Sequence, residues 1–570
     1  MATFVPPSGR FTLWRMSRTT PEDRLDSWKA IARYLGRSVR TVRRWEQQEG
    51  LPVHRLMHQS QASVYAFRQE LDDWREARAL APSDPQTDQR PPRPARGSPS
   101  AKDMAAAIAV LPFNFAGPDP SQAWVADGLT EEMIGGFSRL AKLRVTSRTS
   151  SAAFKGSDRD SSTIADMLGV TYLLEGGVVG DGRRLRINVR LIDPRRDDHV
   201  WSRKFTGDME QIFDIQEQIT RAVVNALQLE IAPDEEVVFG QPAVDDLSAW
   251  RRVILARVTA FQWRPDALEQ ARTLLMEALE LTGENPAICA TMGRVLLHHV
   301  EAGIPDREGV LEEAKTWEAR ARAADPDHPE TRVLSGWLAH ATGDLEHAVE
   351  ALEQALEADR DNPDALLLLA HCLLRIGLTE RARPVIDHAM AVDPLTPLTR
   401  CFPGYLAAME GRFDDAVDPY RDMLERDPAN PVGRLFNVWI HFAAGRDDEA
   451  IAIASGFDGP AEESTPAHLA RHLVAAHLGT IEDLPLPKPI REAAEGSEMY
   501  ARHASEAWAL AGNARRTALW LNRAVDLGFV NWPYLAEHSP FLQPLVDDPE
   551  LRPVLERAKE RWKALTARLN

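Results

Sequence analysis

The sequence predicts a multidomain chain: a small basic helical head with β pieces, an α/β middle domain, and a long all-α solenoid of repeated helical pairs. Three observations carry this reading. Pro329, Pro363, Pro397 and Pro431 recur every 34 residues, as do Gly343, Gly377, Gly411 and Gly445, and Ala348, Ala382, Ala416 and Ala450. A proline-rich polar stretch, residues 81–104, has almost nothing to bury and reads as an extended linker. Charge is uneven: residues 1–80 carry 14 Arg or Lys against 9 Asp or Glu, a net of +5, whereas the remaining 490 carry −23. A basic first module on an acidic chain points to a nucleic-acid partner at that end alone.

At 570 residues the chain exceeds one hydrophobic core, and roughly three to five domains are expected. Its three cysteines, Cys289, Cys372 and Cys401, are far apart, which argues against a disulfide framework or a thiolate zinc site and fits a reducing compartment. No apolar run approaches the roughly 20 residues of a membrane helix, and the N-terminus lacks the apolar core of a signal peptide. A cytoplasmic protein with no membrane partner is expected. Residues 1–24 read as disordered, with either Met1 or Met16 as the start.

In the head, residues 25–80, Ser27 can cap a helix whose apolar positions Trp28, Ile31 and Leu35 share one face. Gly36 ends it and Ser38 can cap a second helix, with Val39, Val42 and Trp45 inward and Arg40, Arg43 and Arg44 projecting elsewhere. Two β-like pieces follow, Val53–Leu56 and Ser63–Phe67, then a helical face with Leu71 and Trp74. The hairpin cannot stand alone, so it should pack on the helices. The stretch SWKAIARYLGRSVRTVRRWEQQEGLPVHR resembles the MerR/excisionase-like winged helix-turn-helix domains. That resemblance implies a second helix in the major groove, and assigns Arg37, Ser38, Arg40, Thr41, Arg43 and Arg44 to DNA recognition and Arg55 to the wing. Trp28 and Trp45 are expected in the core.

In the middle domain, residues 105–235, Ile108–Phe113 and Leu143–Thr146 read as strands and Trp124–Leu140, Ile164–Leu168 and Ile212–Leu229 as helices. Tyr172–Val179, Arg184–Ile192 and His199–Phe205 read as further strands, the first two joined by a Gly180-Asp181-Gly182 turn. Leu185, Ile187, Val189 and Leu191 alternate with Arg184, Arg186, Asn188 and Arg190, so one sheet face is buried and the other basic. The strings IAVLPFNFAGPDPSQAWVADGLTEEM, YLLEGGVVGDGRRLRINVRLID and VWSRKFTGDMEQIFDIQEQI resemble the TolB N-terminal-like domain. The resemblance implies a small interaction or sensory module without assigned catalytic residues. Asp127, Glu131 and Glu132 read as a solvated helix surface, since nothing converges with them in sequence. Whether this domain binds a small molecule stays open.

In the array, residues 244–570, prolines punctuate between repeats, glycines turn one helix into the next, and alanines permit close packing. A period of 34 with this layout resembles the tetratricopeptide pattern, with Asp-Pro boundaries at Asp325-Pro326, Asp393-Pro394 and Asp427-Pro428. Six to eight pairs are expected, the outer ones as caps, with the register weakening beyond Ala450. On the concave face of such a solenoid, Trp337, His371, Tyr405 and Trp439 occupy equivalent positions, as do Val333, Leu367, Cys401 and Leu435. They are the candidate lining of a peptide groove, although interhelical packing explains the same rows.

No phosphate-binding loop, metal motif, nucleophile elbow or kinase signature is present, so no enzyme, catalytic residue, cofactor or metal is expected. The chain reads as a bacterial DNA-binding transcriptional regulator. Its partners would be duplex DNA, a protein or peptide in the repeat groove, and a second copy of itself on DNA. The alternative is a non-catalytic interaction scaffold with a weak or vestigial DNA-binding head.

Overall fold

A computed structural model of the chain describes residues 24–35, 42, 46, 51–57, 62–68, 70–71, 74, 106–181, 183–196, 198–229, 231, 242–260, 264–301, 307–457, 463–481 and 486–569. It divides into two units, Met1–Pro99 and Ser100–Asn570, each treated by itself.

The first unit contains β1 (Arg24–Asp26), α1 (Trp28–Leu35), β2 (His54–Met57) and β3 (Ala62–Phe67). The two expected β pieces form an antiparallel pair, with His54 opposite Tyr65. β1, not read from the sequence, pairs on the other side of β3, so the hairpin gains a third strand. Leu25, Ile31, Val42, Leu51, Ala66 and Leu71 form its core, with Trp28 and Trp74 packed against them. Trp45 lies outside the described residues.

The second unit opens with β4 (Ala106–Val110), β5 (Asn114–Ala116), α2 (Trp124–Ser138), β6 (Leu143–Val145), α3 (Arg148–Ala152) and α4 (Ser161–Leu168). β7 (Tyr172–Gly180), β8 (Arg184–Asp193), β9 (Asp198–Asp208) and α5 (Ile212–Ala226) complete the α/β part. The sheet order is β6-β4-β7-β8-β9, with β5 also pairing β7. β4 pairs in parallel with β6 and β7, whereas β8 runs antiparallel to β7 and β9. The alternation along β8 holds: Leu185, Ile187, Val189 and Leu191 are buried and the intervening Arg184, Arg186, Asn188 and Arg190 exposed. At the turn before it, Asp181 Oδ1 accepts the backbone N–H groups of Arg183 and Arg184.

Eight helical pairs follow among the described residues. They are α6 and α7 (Leu247–Ala260, Pro265–Thr282), α8 and α9 (Pro286–Glu301, Arg307–Ala324), α10 and α11 (Pro329–Thr342, Leu345–Ala358), and α12 and α13 (Pro363–Ile376, Thr379–Val392). Then come α14 and α15 (Pro397–Met409, Phe413–Arg426), α16 and α17 (Pro431–Ala443, Asp447–Ala454), α18 and α19 (Thr465–His477, Lys488–Gly496), and α20 and α21 (Glu498–Leu510, Ala514–Asp526). A final helix, α22, spans Arg552–Leu569. The periodic residues do what their chemistry allows. Each repeat proline takes the first helical position, where its missing N–H costs nothing, and Asn362 and Asn430 just before it cap the helix. Gly343, Gly377, Gly411 and Gly445 all adopt positive φ, the left-handed conformation that glycine takes without a Cβ clash. Ala348, Ala382, Ala416 and Ala450 are fully buried where helices approach closely.

One apolar core runs from the sheet into the first helical pairs. Trp250 on α6 joins them, its ring 5.2 Å from that of Trp124 and 5.3 Å from that of Phe213. Gly128 on α2 allows this approach, because a Cβ there would lie 2.6 Å from the indole.

Candidate functional site

Among the expected DNA contacts, Arg37, Ser38, Arg40, Thr41, Arg43 and Arg44 lie outside the described residues. Arg55 falls within β2 opposite Val64. Elsewhere in the sheet, Arg24 on β1 stacks over the Tyr65 ring at 4.3 Å, and His54 on β2 meets Glu70 at 2.7 Å.

The expected groove residues are interior rather than an open surface. Val333 and Leu435 are 0% exposed, Trp439 1% and Tyr405 8%; Cys401 and Trp337 are also buried, while Leu367 and His371 are half-buried. Neighbouring helices cover much of the row, as His298 on α8 does at Trp337, and toward its C-terminal end α20, the first helix of the last pair, adds to the burial, with His503 5.2 Å from the Trp439 ring. Arg375 on α12 faces Glu498 on α20 at 3.7 Å, and Arg502 pairs with Glu506 at 3.2 Å while lying 5.1 Å from the Trp439 ring. Glu506 also binds His503 Nδ1 at 2.8 Å and accepts the Tyr534 hydroxyl at 2.7 Å. His371 meets His340 at 2.9 Å and the Tyr405 ring at 5.8 Å. Burial, reinforced by Arg375 and Arg502, pushes the His371 imidazole down to about 3, so it is neutral.

The segment after α21 then crosses the turns of three successive repeats. A Cβ on Gly343 would meet Leu527 O at 2.8 Å, one on Gly377 would meet Asn531 Oδ1 at 2.6 Å, and one on Gly411 would meet the His538 ring at 3.2 Å. Backbone bonds fix the crossing: Val530 N–H donates to Arg375 O at 3.0 Å and Asn531 Nδ2 to Leu374 O at 2.9 Å.

A second concave region lies where the α/β part meets the early repeats. The β6–α3 turn is bound to the boundaries between helical pairs. Val145 N–H donates to Asp361 Oδ2 at 2.7 Å, Ser147 N–H to Val392 O at 2.8 Å, and Ser150 Oγ to Asp393 Oδ1 at 2.6 Å. Beside this seam opens a cavity of about 260 Å³ walled by α2, the β6–α3 turn, α6, α8 and the starts of α10 and α12.

The cavity wall is strongly charged. Glu131, expected on a solvated surface, instead accepts Arg257 Nη1 at 2.5 Å and Arg148 Nη1 at 2.7 Å, and Glu132 accepts the Trp250 indole N–H at 3.0 Å. Arg294 bridges Glu330, at 2.7 Å, and Asp364. Burial works to raise Glu330, but Arg294 and Arg257 outweigh it and bring the carboxyl down to about 2. Burial likewise works to raise Glu131, but Arg257 and Arg148 overcome it and the carboxyl is lowered. At Glu132, Asp359 and Asp364 burial wins and the carboxyls are raised. Burial and Arg294 push His298 down to about 3.

Sequence reading missed this convergence because Glu131 and Arg257 are 126 residues apart. A signal was present nonetheless. In the four regular repeats the residue after the repeat proline is acidic only at Glu330 and Asp364, the two that face the cavity; the other two are Leu398 and Val432. Asp127, the third carboxylate of α2, pairs with Lys155 at 2.8 Å.

The tetratricopeptide-repeat family matches residues 339–398. The family described as HilA/YgeH-like transcriptional regulator, second domain, matches residues 104–222. A Rhizobium meliloti protein named "Putative adenylate cyclase 3" is 33% identical over 207 residues, covering 36% of this chain and 35% of its own length. The chain thus spans about a third of that relative. Similar solved structures include a tetratricopeptide repeat protein from Parabacteroides merdae (13% identity, 55% of this chain, 100% of that one, TM-score 0.32). PilW, a type IV pilus biogenesis factor, shows 15% identity over 38% of this chain and 96% of its own, with a TM-score of 0.31. The helical array is a tetratricopeptide-type solenoid, joined to a mixed-sheet domain similar to the second domain of HilA/YgeH-like transcriptional regulators.

Proposed function

We propose that the chain is a DNA-binding transcriptional regulator whose C-terminal unit receives a signal. The observation that carries this reading is the match of residues 104–222 to a domain of transcriptional regulators, next to a head with a net charge of +5. The head's resemblance to MerR/excisionase-like winged helix-turn-helix domains supports the same conclusion. Arg40, Arg43 and Arg44 contact the major groove with Arg37, Ser38 and Thr41 beside them, and Arg55 contacts the backbone from the hairpin. Two copies bind one site, because a single small head offers few phosphate contacts. The protein acts in the cytoplasm; no described helix is long and apolar enough to cross a membrane. The relative named for a cyclase is a longer protein, of which this chain spans 35%.

A peptide that used the row Val333, Trp337, Leu367, His371, Cys401, Tyr405, Leu435 and Trp439 would have to part the helices packed on it, among them the chain's own α20 beside Trp439. Partner binding there is therefore coupled to opening of the superhelix. The direct test of the function is gel-shift titration of the full chain against genomic fragments, including its own upstream region. Saturable binding to a subset of fragments is expected. Equal, weak binding to all fragments would contradict it.

A further inference from the structure

The sheet of the second unit is covered across one face and only in part across the other. α2 and α5 pack on the face that carries Leu185, Ile187, Val189 and Leu191. On the opposite face α4 packs at one end, over Ala109 on β4, Leu173 on β7 and Ile192 on β8. Beyond these residues the face is open. Arg184, Arg186, Asn188 and Arg190 on β8, with Lys204 and Thr206 on β9, are all exposed.

The charges on this face are placed by the strand register. Arg184 lies 3.7 Å from Asp208 and Arg190 3.6 Å from Glu175, at the two ends of the row. Between them Arg186 and Lys204 have no ion pair among the described residues. Arg186 stands opposite Thr206 and Lys204 opposite Asn188, so the two cations are diagonal neighbours, about 7–8 Å apart. They repel each other, and an anion held between them removes that repulsion.

Length and chemistry choose the anion. From Arg184 to Arg190 the row runs roughly 20 Å, six steps of about 3.4 Å, over which duplex DNA carries about twelve phosphate charges. A small anion would engage one pair of cations and leave the rest. Phe115, Trp201 and Phe205 of these strands pack into the opposite core, so the open face offers no ring on which unpaired bases could stack. Its exposed apolar side chains, Val179 and Val200, are small for the anchors of a protein interface. Arg, Lys, Asn and Thr side chains are all donors to phosphate oxygens. The chain's own head, at +5, has the wrong sign to cover the face. Residues 81–570 carry −23 in all, but screening over about 8 Å at physiological salt lets the patch act locally.

We propose that the open face of β7, β8 and β9 is a second DNA contact, which holds the phosphate backbone of a duplex through Arg186 and Lys204, with Arg184 and Arg190 beside them. The contact is independent of sequence. It adds to binding by the head at the raised effective concentration of a second site on one chain. It rests on the reading of the chain as a DNA binder, and not on which residues of the head touch DNA.

The test is titration of the full chain with a mixed-sequence duplex several helical turns long, repeated across a series of salt concentrations. Arg186→Ala with Lys204→Ala should lower affinity at low salt and flatten the slope of log affinity against log salt by up to about 2, roughly 0.9 for each phosphate released. Lys488→Ala with Lys563→Ala removes the same charge from exposed positions of the repeats and should change neither. Arg40→Ala, Arg43→Ala and Arg44→Ala together should leave residual salt-dependent binding that the two sheet substitutions then remove. A sheet variant that binds as the parent does, while the head variant loses binding, would overturn this proposal and leave the regulator reading in place. Loss in the sheet variant with the head variant unchanged would support the face and overturn the head assignment. Equal losses in the sheet and Lys488/Lys563 variants would reduce the effect to net charge, and tighter binding of poly-L-glutamate than of duplex would make the partner an acidic protein; either result overturns the proposal. A parent chain that binds no duplex overturns both readings.

Discussion

Arg502 sits among the rings of Trp439, Phe529 and Tyr534, at 5.1, 5.2 and 6.0 Å from their centroids, and between Glu498 and Glu506. A guanidinium so deeply placed is tolerated only because carboxylates and rings replace its water. Removing it leaves the buried Glu506 without a guanidinium and Glu498 with Arg375 alone, so Arg502→Ala should destabilise by about 3–5 kcal/mol. Arg446→Ala, which breaks an exposed pair with Asp414, should cost less than about 1 kcal/mol. Unfolding midpoints followed by tryptophan fluorescence check this, and equal effects of the two would contradict the closed groove. The buried histidines predict the pH response. Burial and neighbouring arginines lower His298 and His371 to about 3 and His472 to about 4, against about 6.5 when unfolded. Between those values the unfolded chain binds more protons, so stability is complete above pH 6.5 and is lost as pH falls toward 3. Glu330, depressed to about 2, adds a further loss below 4.5. The melting temperature should drop from pH 7.5 to 5.5, and His472→Gln should reduce the drop; a flat profile would contradict the burial of these rings.

Turns and crossings between elements separate what the sequence carries from what only packing decides. The 34-residue period marks every intra-repeat glycine from 343 to 445 as a turn, and all four take the left-handed conformation. Gly479 continues the same spacing with φ 66°, yet its repeat escapes a sequence reading because its second helix starts at Lys488, nine residues past the glycine. Periodicity identifies equivalent positions but not the curl of the superhelix, so the row Trp337, Tyr405 and Trp439 is visible in sequence while the approach of Arg502 and His503 to Trp439 is not. The cavity is hidden for the same reason: Glu131, Arg257 and Glu330 come from three distant segments. The crossing gives an element-scale prediction. Gly343→Ala and Gly445→Ala both place a Cβ at positive φ, costing about 1–2 kcal/mol. Only at Gly343 does that Cβ also press on Leu527, whereas at Gly445 nothing lies within reach. Gly343→Ala should therefore lower the melting temperature further, and deleting residues 527–570 should abolish the difference. Equal melts in the full chain would mean that the crossing is not tightly packed.

At the scale of the whole molecule, a head of net charge +5 on a chain that is otherwise −23 leaves phosphate attraction to the head and to the open basic face of the sheet. Affinity should then come from paired heads and from few contacts each. Sedimentation of the protein on a specific fragment should give two chains per site, and one chain per site at saturation would remove the dimer. The DNA-binding role itself is tested most directly by the salt dependence of binding. Each phosphate neutralised releases counterions, so the slope of log affinity against log salt falls by about 0.9 per contact. The full-length protein should bind duplex DNA with a steep negative slope, and Arg40→Ala, Arg43→Ala and Arg44→Ala together should weaken binding and flatten that slope by up to about 3, roughly one for each arginine that contacts phosphate rather than a base. An unchanged slope and affinity in the triple variant, with its circular dichroism intact, would contradict the account.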